Sequence, residues 1–326
     1  MNQINHRHID VNGIRMHIAE QGQGPLVLMV HGYPELWYSY RHLIPAVAAA
    51  GYHAVAPDMR GYGDTDCPAP LAAYTMNNLV GDVVQLAQAL GATRDNPAHI
   101  VGHDWGATIS QRTAALRPDL FSTVTLLGVP YYGERPPMRP TAAMQRLGEA
   151  SGGQYYQWYF QPPGVAEAVL EKDVRRSQRM FFYSLGGSIP QAHRWRYVFG
   201  RDETILDSCT DPETLPAWLT QADLEVYTRA FEKNGFRGAL NWYRTQDLWW
   251  EATPFLNRRP LEQPLLFIAG EEDPVVQISQ VAVENLPKNA PNLWRTVLLP
   301  GVGHWTEQEA PESVKPHLLE FLAAHT

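Results

Sequence analysis

A carboxylate stands at the centre of a glycine-framed pentapeptide, Gly102-His103-Asp104-Trp105-Gly106, within "AHIVGHDWGATIS". Apolar-leaning residues lead into Gly102, and helix-like sequence follows Gly106. A G-x-nucleophile-x-G frame at a strand-to-helix elbow lifts its central side chain to the carboxyl end of a sheet, where ligands bind in open α/β architectures. The two glycines leave room for the sharp turn and for close helix packing. A helix starting near Ala107 brings its positive dipole end to Asp104 and favours the ionised carboxylate. An isolated Asp at such a junction is ordinarily a helix N-cap. The double-glycine frame and the partner residues below argue instead for a nucleophile.

A carboxylate differs from a serine in what it makes. Serine attack on a saturated carbon gives an ether, which water does not readily remove. Aspartate attack gives an ester, whose carbonyl water can attack. Asp104 therefore suits displacement at an sp³ carbon, either epoxide opening or halide displacement, and suits ester hydrolysis poorly. No Ser or Cys of the chain stands in an equivalent frame.

Breaking the ester needs a base and donors for the ester oxygen. His304, in "LLPGVGHW", follows the last predicted strand, and Asp273, in "FIAGEEDPV", ends the strand before it. The chain order is then nucleophile, acid, histidine. His304 would activate water, and Asp273 would hold its tautomer and stabilise the imidazolium. Glu271 and Glu272 are rivals for the acid role, each otherwise a loop carboxylate. "VHGYPE" ends the third predicted strand. It nominates the Tyr33 backbone N–H, with that of Trp105, as an oxyanion hole, and Pro34 as a candidate cis proline. The plainer alternatives are a surface-loop histidine at 304 and an ordinary turn after 30, with His31 a buried structural donor. His103 should point away from the site. His6 and His8 form a lone H-x-H, too little for a metal. No metal cluster or dinucleotide fingerprint is present, so neither metal nor cofactor is expected.

These residues need a scaffold. "HRHIDVNGIRMHIAEQG" predicts two strands joined at Asn12-Gly13, a strong hairpin signal. "PLVLMVHG", "YHAVAPDMRGYG", "AHIVGHDWG" and "FSTVTLLGVP" predict further strands, the first a continuous apolar run ending in Gly. Between them, "SYRHLIPAVAAAG" and "NNLVGDVVQLAQALG" read as helices. In the second, Leu79, Val83, Leu86 and Leu90 share a face, Asn77 or Asn78 is the candidate cap, and Gly91 ends it. From about Pro130 the sequence becomes Pro-rich, then helical and aromatic, with no convincing buried strand; Thr220 and Asp223 form a capping-box pattern. "PLLFIAGEED" restores the buried-strand signal, "NLWRTVLLPGVGH" repeats it, and "ESVKPHLLEFLAAH" closes as a helix. The expected fold is an α/β core, 1–129 and 260–326, with a mostly parallel sheet, helices on both faces and an all-helical lid inserted over 130–259.

Composition excludes several classes. The 326 residues are 44% hydrophobic and carry a formal net charge of −8, with no Lys/Arg-rich run, so no nucleic-acid partner is expected. No apolar run reaches membrane-spanning length, and "MNQINHRHID" lacks the apolar core of a secretory signal. Two cysteines, Cys67 and Cys209, fit a reducing compartment, and a cytoplasmic location is expected.

The chain resembles the epoxide hydrolases of the α/β-hydrolase fold. "HGYPELWYSYRHLIP", "DMRGYGDTD", "VGHDWGA", "YYQWYFQPPGVAEAVLE", "GFRGALNWYR" and "GHWTEQEAP" carry the resemblance over nearly its whole length. Haloalkane and haloacid dehalogenases share the short elbow motif; the lid motifs are more specific. The resemblance implies two lid tyrosines that donate to the epoxide oxygen: Tyr156, in register with "FQPPG", and Tyr243 of "NWYR". A ring-opened alkoxide is far more basic than a phenolate of pKa about 10, so a neutral tyrosine can protonate it. Mammalian soluble members carry an additional N-terminal phosphatase domain. This chain starts at the hydrolase hairpin and resembles the single-domain plant and bacterial forms. The partners implied are a small apolar epoxide and water. Two alternatives stand beside this one. A dehalogenase would share Asp104 and His304 but need a halide cradle, for which Trp105 is one donor. A hydrolase-fold receptor would bind a small molecule in the lid cavity without turning it over.

Overall fold

A computed structural model describes residues 3–326. Asn12 and Gly13 both take positive φ, 46° and 75°, the backbone twist that a two-residue hairpin requires. They join β1 (Asn5–Val11) to β2 (Ile14–Gln21). The chain continues through β3 (Leu26–Val30), β4 (His53–Pro57), β5 (Ala98–His103) and β6 (Phe121–Leu127). Helices α1 (Leu43–Ala49), α2 (Met76–Ala89) and α3 (Trp105–Leu116) separate these strands. An insert follows β6, and the sheet resumes with β9 (Leu265–Gly270) and β10 (Leu293–Leu299).

The eight strands run in the order β1-β2-β4-β3-β5-β6-β9-β10. Every pairing from β4 to β10 is parallel; only the hairpin and the β2–β4 pair are antiparallel. β3, β5 and β9 are buried at every residue, as strands covered on both faces must be. On one face α1 and the C-terminal helix (Pro311–Ala324) bury Leu43, Ile44, Val47, Leu318 and Phe321. On the other, α2 buries Leu79, Val83 and Leu86 in a core continuous with the insert. Each such side chain contributes about 1.5–3 kcal/mol.

Two local expectations need correction. α2 begins at Met76 with Thr75 as its N-cap, so neither Asn77 nor Asn78 caps it; the Asn78 amide instead ties back to the Ala72 and Ala73 carbonyls. β10 is a sheet edge whose residues alternate between half-buried and exposed, unlike the fully buried β9. Its apolar content reflects one covered face, not two.

The insert contains α4 (Pro140–Ala150), α5 (Tyr156–Tyr159), α6 (Val165–Leu170), α7 (Val174–Ser184), α8 (Gln221–Asn234), α9 (Arg237–Arg244) and α10 (Gln246–Ala252). It is not wholly helical. β7 (Gln154–Tyr155) and β8 (Val198–Phe199) form a two-residue antiparallel ribbon, too short to leave a periodic signal. The Thr220–Asp223 capping box is formed. Asp223 also accepts a hydrogen bond from the Tyr38 hydroxyl and pairs with Arg41, so this helix start is fastened to the core.

Arg244 fixes the geometry inside the insert. Its guanidinium meets both Glu167 oxygens, at 2.7 and 2.9 Å, and donates to the Phe160 carbonyl. This buried fork joins α9 to α6 and to the end of α5. Removing one partner of such a pair costs more than the pair contributes, because the other charge is left unpaired. Arg244→Leu is therefore expected to destabilise the fold by about 3 kcal/mol. Adding Glu167→Leu should recover part of that loss. Chemical denaturation of the single and double variants checks both statements.

Candidate active site

The elbow geometry leaves no choice at its glycines. A Cβ on Gly102 would run into the Gly106 carbonyl, and one on Gly106 into the Val30 carbonyl. Between them Asp104 takes φ 48° and ψ −118°, a conformation that costs a non-glycine residue about 1–3 kcal/mol and persists only where its surroundings impose it. α3 starts at Trp105, two residues earlier than expected, so Asp104 directly precedes it. It does not cap it, since its side chain makes no capping bond. Asp104 Oδ1 accepts the Tyr33 N–H at 2.8 Å, and the Trp105 N–H also acts on the carboxylate. Tyr33-Pro34 is a cis peptide.

His304 and Asp273 reach this point from the loops after β10 and β9. Asp273 is fully buried, with Oδ1 accepting the Val275 N–H. His304 Nδ1 lies 3.1 Å from both Asp273 oxygens. His304 Nε2 points at Asp104 Oδ2 across 3.8 Å, beyond hydrogen-bond reach. The rivals lie elsewhere: Glu271 is exposed, and Glu272 holds Arg194 and the Ser188 N–H.

Tyr156, on α5, and Tyr243, on α9, face this constellation from the insert, their ring centroids 6.1 Å apart. The cavity they share with Asp104 and His304 is about 30 Å³, closed by Phe160, Phe181 and Trp195. Tyr156 accepts from the Gln157 amide at 2.8 Å, which leaves its own hydrogen free to donate. The Tyr243 ring stands edge-on to Tyr33 and Trp105. Of the seven residues singled out in the sequence, five line this cavity, and Asp273 and Trp105 stand directly behind it. Trp195, from a stretch with no helical or strand periodicity, escaped notice, whereas Trp249 and Trp250 line a different cavity.

Burial raises the Asp104 pKa above its ordinary value, against the pull of His304, His103 and the two N–H donors. Burial alone would lower His304. The Asp273 charge and hydrogen bond outweigh it, with help from Asp104, and hold the imidazole above 6.5. Burial raises both lid tyrosines as well, so their hydroxyls stay protonated.

Behind the site lies a cluster that sequence reasoning missed. His103 turns away from the cavity, as expected. Its Nε2 lies 2.7 Å from the His304 carbonyl, which only accepts, so that nitrogen carries hydrogen. Its Nδ1 lies 2.7 Å from Glu35 Oε2, which also accepts the Gly32 N–H. Burial pushes Glu35 up, but the His103 imidazolium outweighs it and holds the carboxyl at about 2. Burial pushes nearby Glu307 well above the carboxylate range. Among the described residues this is the one grouping of metal-ligand types, and its imidazole already spends both nitrogens on hydrogen bonds. Glu309 was also missed. Its carboxylate gathers the N–H groups of Gly187, Gly303 and Trp305. Between the last two, the His304 backbone N–H donates to the Leu185 carbonyl at 2.8 Å.

A mostly parallel sheet with a glycine-framed strand-to-helix elbow at its carboxyl end is the architecture of the α/β-hydrolase fold, and the model of that family matches residues 25–307. Epoxide hydrolase A of Mycobacterium tuberculosis is 40% identical over 97% of this chain and 96% of its own length. Epoxide hydrolase 3 of Siraitia grosvenorii is 35% identical over 99% of both. The solved epoxide hydrolase from an endophytic Streptomyces superposes with a TM-score of 0.93 at 43% identity, covering 98% of this chain and 95% of that one. The chain belongs to the epoxide hydrolases of the α/β-hydrolase fold.

Glu309→Ala should free three N–H groups and loosen the His304 loop. A misplacement near 1 Å costs on the order of a hundredfold in rate. A ten- to hundredfold fall in kcat is therefore expected, on that same scale, with a lower unfolding midpoint; steady-state kinetics and thermal denaturation check it.

Proposed function

We propose that the chain hydrolyses an epoxide to a vicinal diol in two covalent steps on Asp104, beneath a lid formed by residues 130–259. The observation that carries this reading is the division of labour on one carboxylate. Oδ1 is held by the Tyr33 N–H, while Oδ2 faces His304 Nε2 at 3.8 Å. Oδ2 attacks a ring carbon, the carbon–oxygen bond breaks, and the ring oxygen takes a proton from Tyr156 or Tyr243. The product is an ester whose carbonyl oxygen is Oδ1.

Water then attacks the ester carbonyl as His304 Nε2 takes one of its protons. Negative charge develops on Oδ1, which the Tyr33 N–H already meets, with the Trp105 N–H acting on the same carboxylate; donors fixed in advance act most strongly on developing charge. The intermediate collapses, and the diol oxygen leaves with the proton from His304. The Asp104 carboxyl returns its proton to the tyrosinate, which restores the enzyme. Asp273 holds the Nδ1 proton throughout, so that Nε2 is the nitrogen that takes the proton from water and gives it back to the leaving oxygen. Ester formation also removes the Asp104 charge, one of the influences that raise His304. Alkylation thereby shifts His304 towards the neutral base that the second step needs.

A cavity near 30 Å³ holds little more than a water or two. Substrate entry therefore requires the lid or its aromatic side chains to move. No helix among the described residues is long and apolar enough to cross a membrane. A cytoplasmic setting belongs to the same reading and rests on two cysteines, both free.

Three outcomes test this. A panel of styrene-type, fatty-acid-type and small aliphatic epoxides should yield diols, and the yield should survive exhaustive chelation. In His304→Gln the protein should gain the mass of one intact epoxide on Asp104, because an amide is too weak a base to activate water; no adduct on Asp104 would sink the two-step reading. Tyr156→Phe and Tyr243→Phe should each slow ring opening by roughly ten- to a thousandfold in single turnover, the scale of a positioned acid.

The pH dependence has a definite sign. Hydrolysis needs neutral His304, whose pKa lies above 6.5, so it slows as pH falls through that region. Alkylation needs only ionised Asp104 and should persist to lower pH. Acid quenching of wild-type enzyme at successively lower pH should show a rising adduct fraction by mass spectrometry.

A further inference from the structure

Tyr156 and Tyr243 share the cavity with Asp104, and their hydroxyls are unequally served. Tyr156 Oη accepts the Gln157 side-chain amide at 2.8 Å. Among the described residues no hydrogen-bond donor acts on the Tyr243 hydroxyl; burial first, then Asp104 and the neighbouring phenols, all favour its neutral form.

The direction of the Gln157 amide is fixed by a chain of partners. The Tyr243 backbone carbonyl only accepts, and it lies 3.3 Å from Gln246 Nε2. That same nitrogen lies 3.0 Å from Gln157 Oε1. Nitrogen faces oxygen at each step, so the amide nitrogen of Gln157 is the atom left facing Tyr156. Tyr156 must accept there, and its own hydrogen stays free. Gln161 closes the network, donating to the Gln157 and Tyr243 carbonyls at 2.9 and 3.2 Å. The amide behind one tyrosine is thus aimed from the backbone beside the other.

A hydrogen bond to a charged oxygen is stronger than one to a neutral hydroxyl. Gln157 therefore acts most strongly once Tyr156 has lost its proton. Burial pushes the Tyr156 phenol up, and Gln157 is the largest influence against it, with Tyr155 adding to the same pull. The Tyr243 phenol has no such counterweight.

We propose that Tyr156 gives its proton to the opening ring, and that Gln157, aimed by Gln246, is the positioning residue that receives the resulting phenolate. Tyr243 donates a hydrogen bond to the ring oxygen and keeps its proton. As the bond from Asp104 Oδ2 to carbon forms, the ring carbon–oxygen bond breaks. The ring oxygen keeps that electron pair and takes the Tyr156 proton. The Gln157 N–H then meets the phenolate until the Asp104 carboxyl returns a proton after ester cleavage. This rests on the two-step reading above and assigns the acid within it.

The test follows adduct formation from styrene oxide by mass spectrometry in a His304→Gln background. Gln157→Leu should slow alkylation roughly ten- to a hundredfold, the range of a hydrogen bond to a charged group. The fall should lie in the saturating alkylation rate and not in the epoxide dissociation constant, because the interaction strengthens only as charge moves onto Tyr156. Combined with Tyr243→Phe the same loss should recur; combined with Tyr156→Phe it should vanish. Gln246→Leu should lose only part of that factor, since Gln157 keeps its donor but not its aim. Gln157→Glu gives a readout that a merely structural role would not move. Ionised, its carboxylate takes the Tyr156 hydrogen; protonated, it donates as the amide does. Its alkylation rate relative to the enzyme with Gln157 should therefore rise as pH falls. Equal losses from Gln157→Leu in the two tyrosine backgrounds, no loss with Tyr243→Phe, or a relative Gln157→Glu rate that stays low as pH falls would each overturn the assignment. No adduct in His304→Gln itself would instead count against the two-step reading.

Discussion

A carboxylate kept in a dry pocket must be met by donors, or it protonates and stops being a nucleophile. That constraint organises this molecule around Asp104. Burial pushes its pKa up, and His304, His103 and two backbone N–H groups push it back. These groups come from three parts of the chain: the turn after β3, the elbow between β5 and α3, and the loop after β10. The parallel sheet brings these points together, because β3, β5, β6 and β9 are neighbours that end on the same side. The glycines that permit the elbow and the positive φ of Asp104 follow from the same requirement.

The insert does more than cover the site. The Trp305 indole donates to the Phe182 carbonyl, and Glu309 binds Gly187 of the insert together with Gly303 beside His304. Orientation of His304 and seating of the insert are therefore coupled through one short segment. The Arg244–Glu167 fork plays the matching part above, holding the helices that present Tyr156 and Tyr243. A movement large enough to admit substrate must leave both fastenings intact or remake them in each cycle.

Much of this was legible in the sequence. The eight sheet strands announced themselves through continuous apolar runs and turn residues, and Asp104 through its two glycines. His304 and Asp273 could be read from their places just beyond strand ends. Tyr156 and Tyr243 were not legible from periodicity, since any tyrosine in so aromatic an insert reads first as packing; only the family motifs singled them out. Glu35, Glu307 and Glu309, and the cluster His103 turns into, were hidden for another reason. A charged residue inside the core has no local signature, because what makes it tolerable is a partner distant in sequence. The two-residue ribbon of β7 and β8 and the half-covered edge of β10 were hidden likewise, as both depend on which strands end up as neighbours.

The central claim is that water attacks the Asp104 ester rather than the epoxide. One turnover of wild-type enzyme in heavy-oxygen water, with enzyme in excess over epoxide, separates the two. The account predicts heavy oxygen in the Asp104 carboxylate, found by mass spectrometry of the peptide that contains it, and an unlabelled diol from that first turnover. Label in the diol alone, with the Asp104 peptide unlabelled, would contradict it and would reduce Asp104 to a base or an electrostatic partner for direct attack by water.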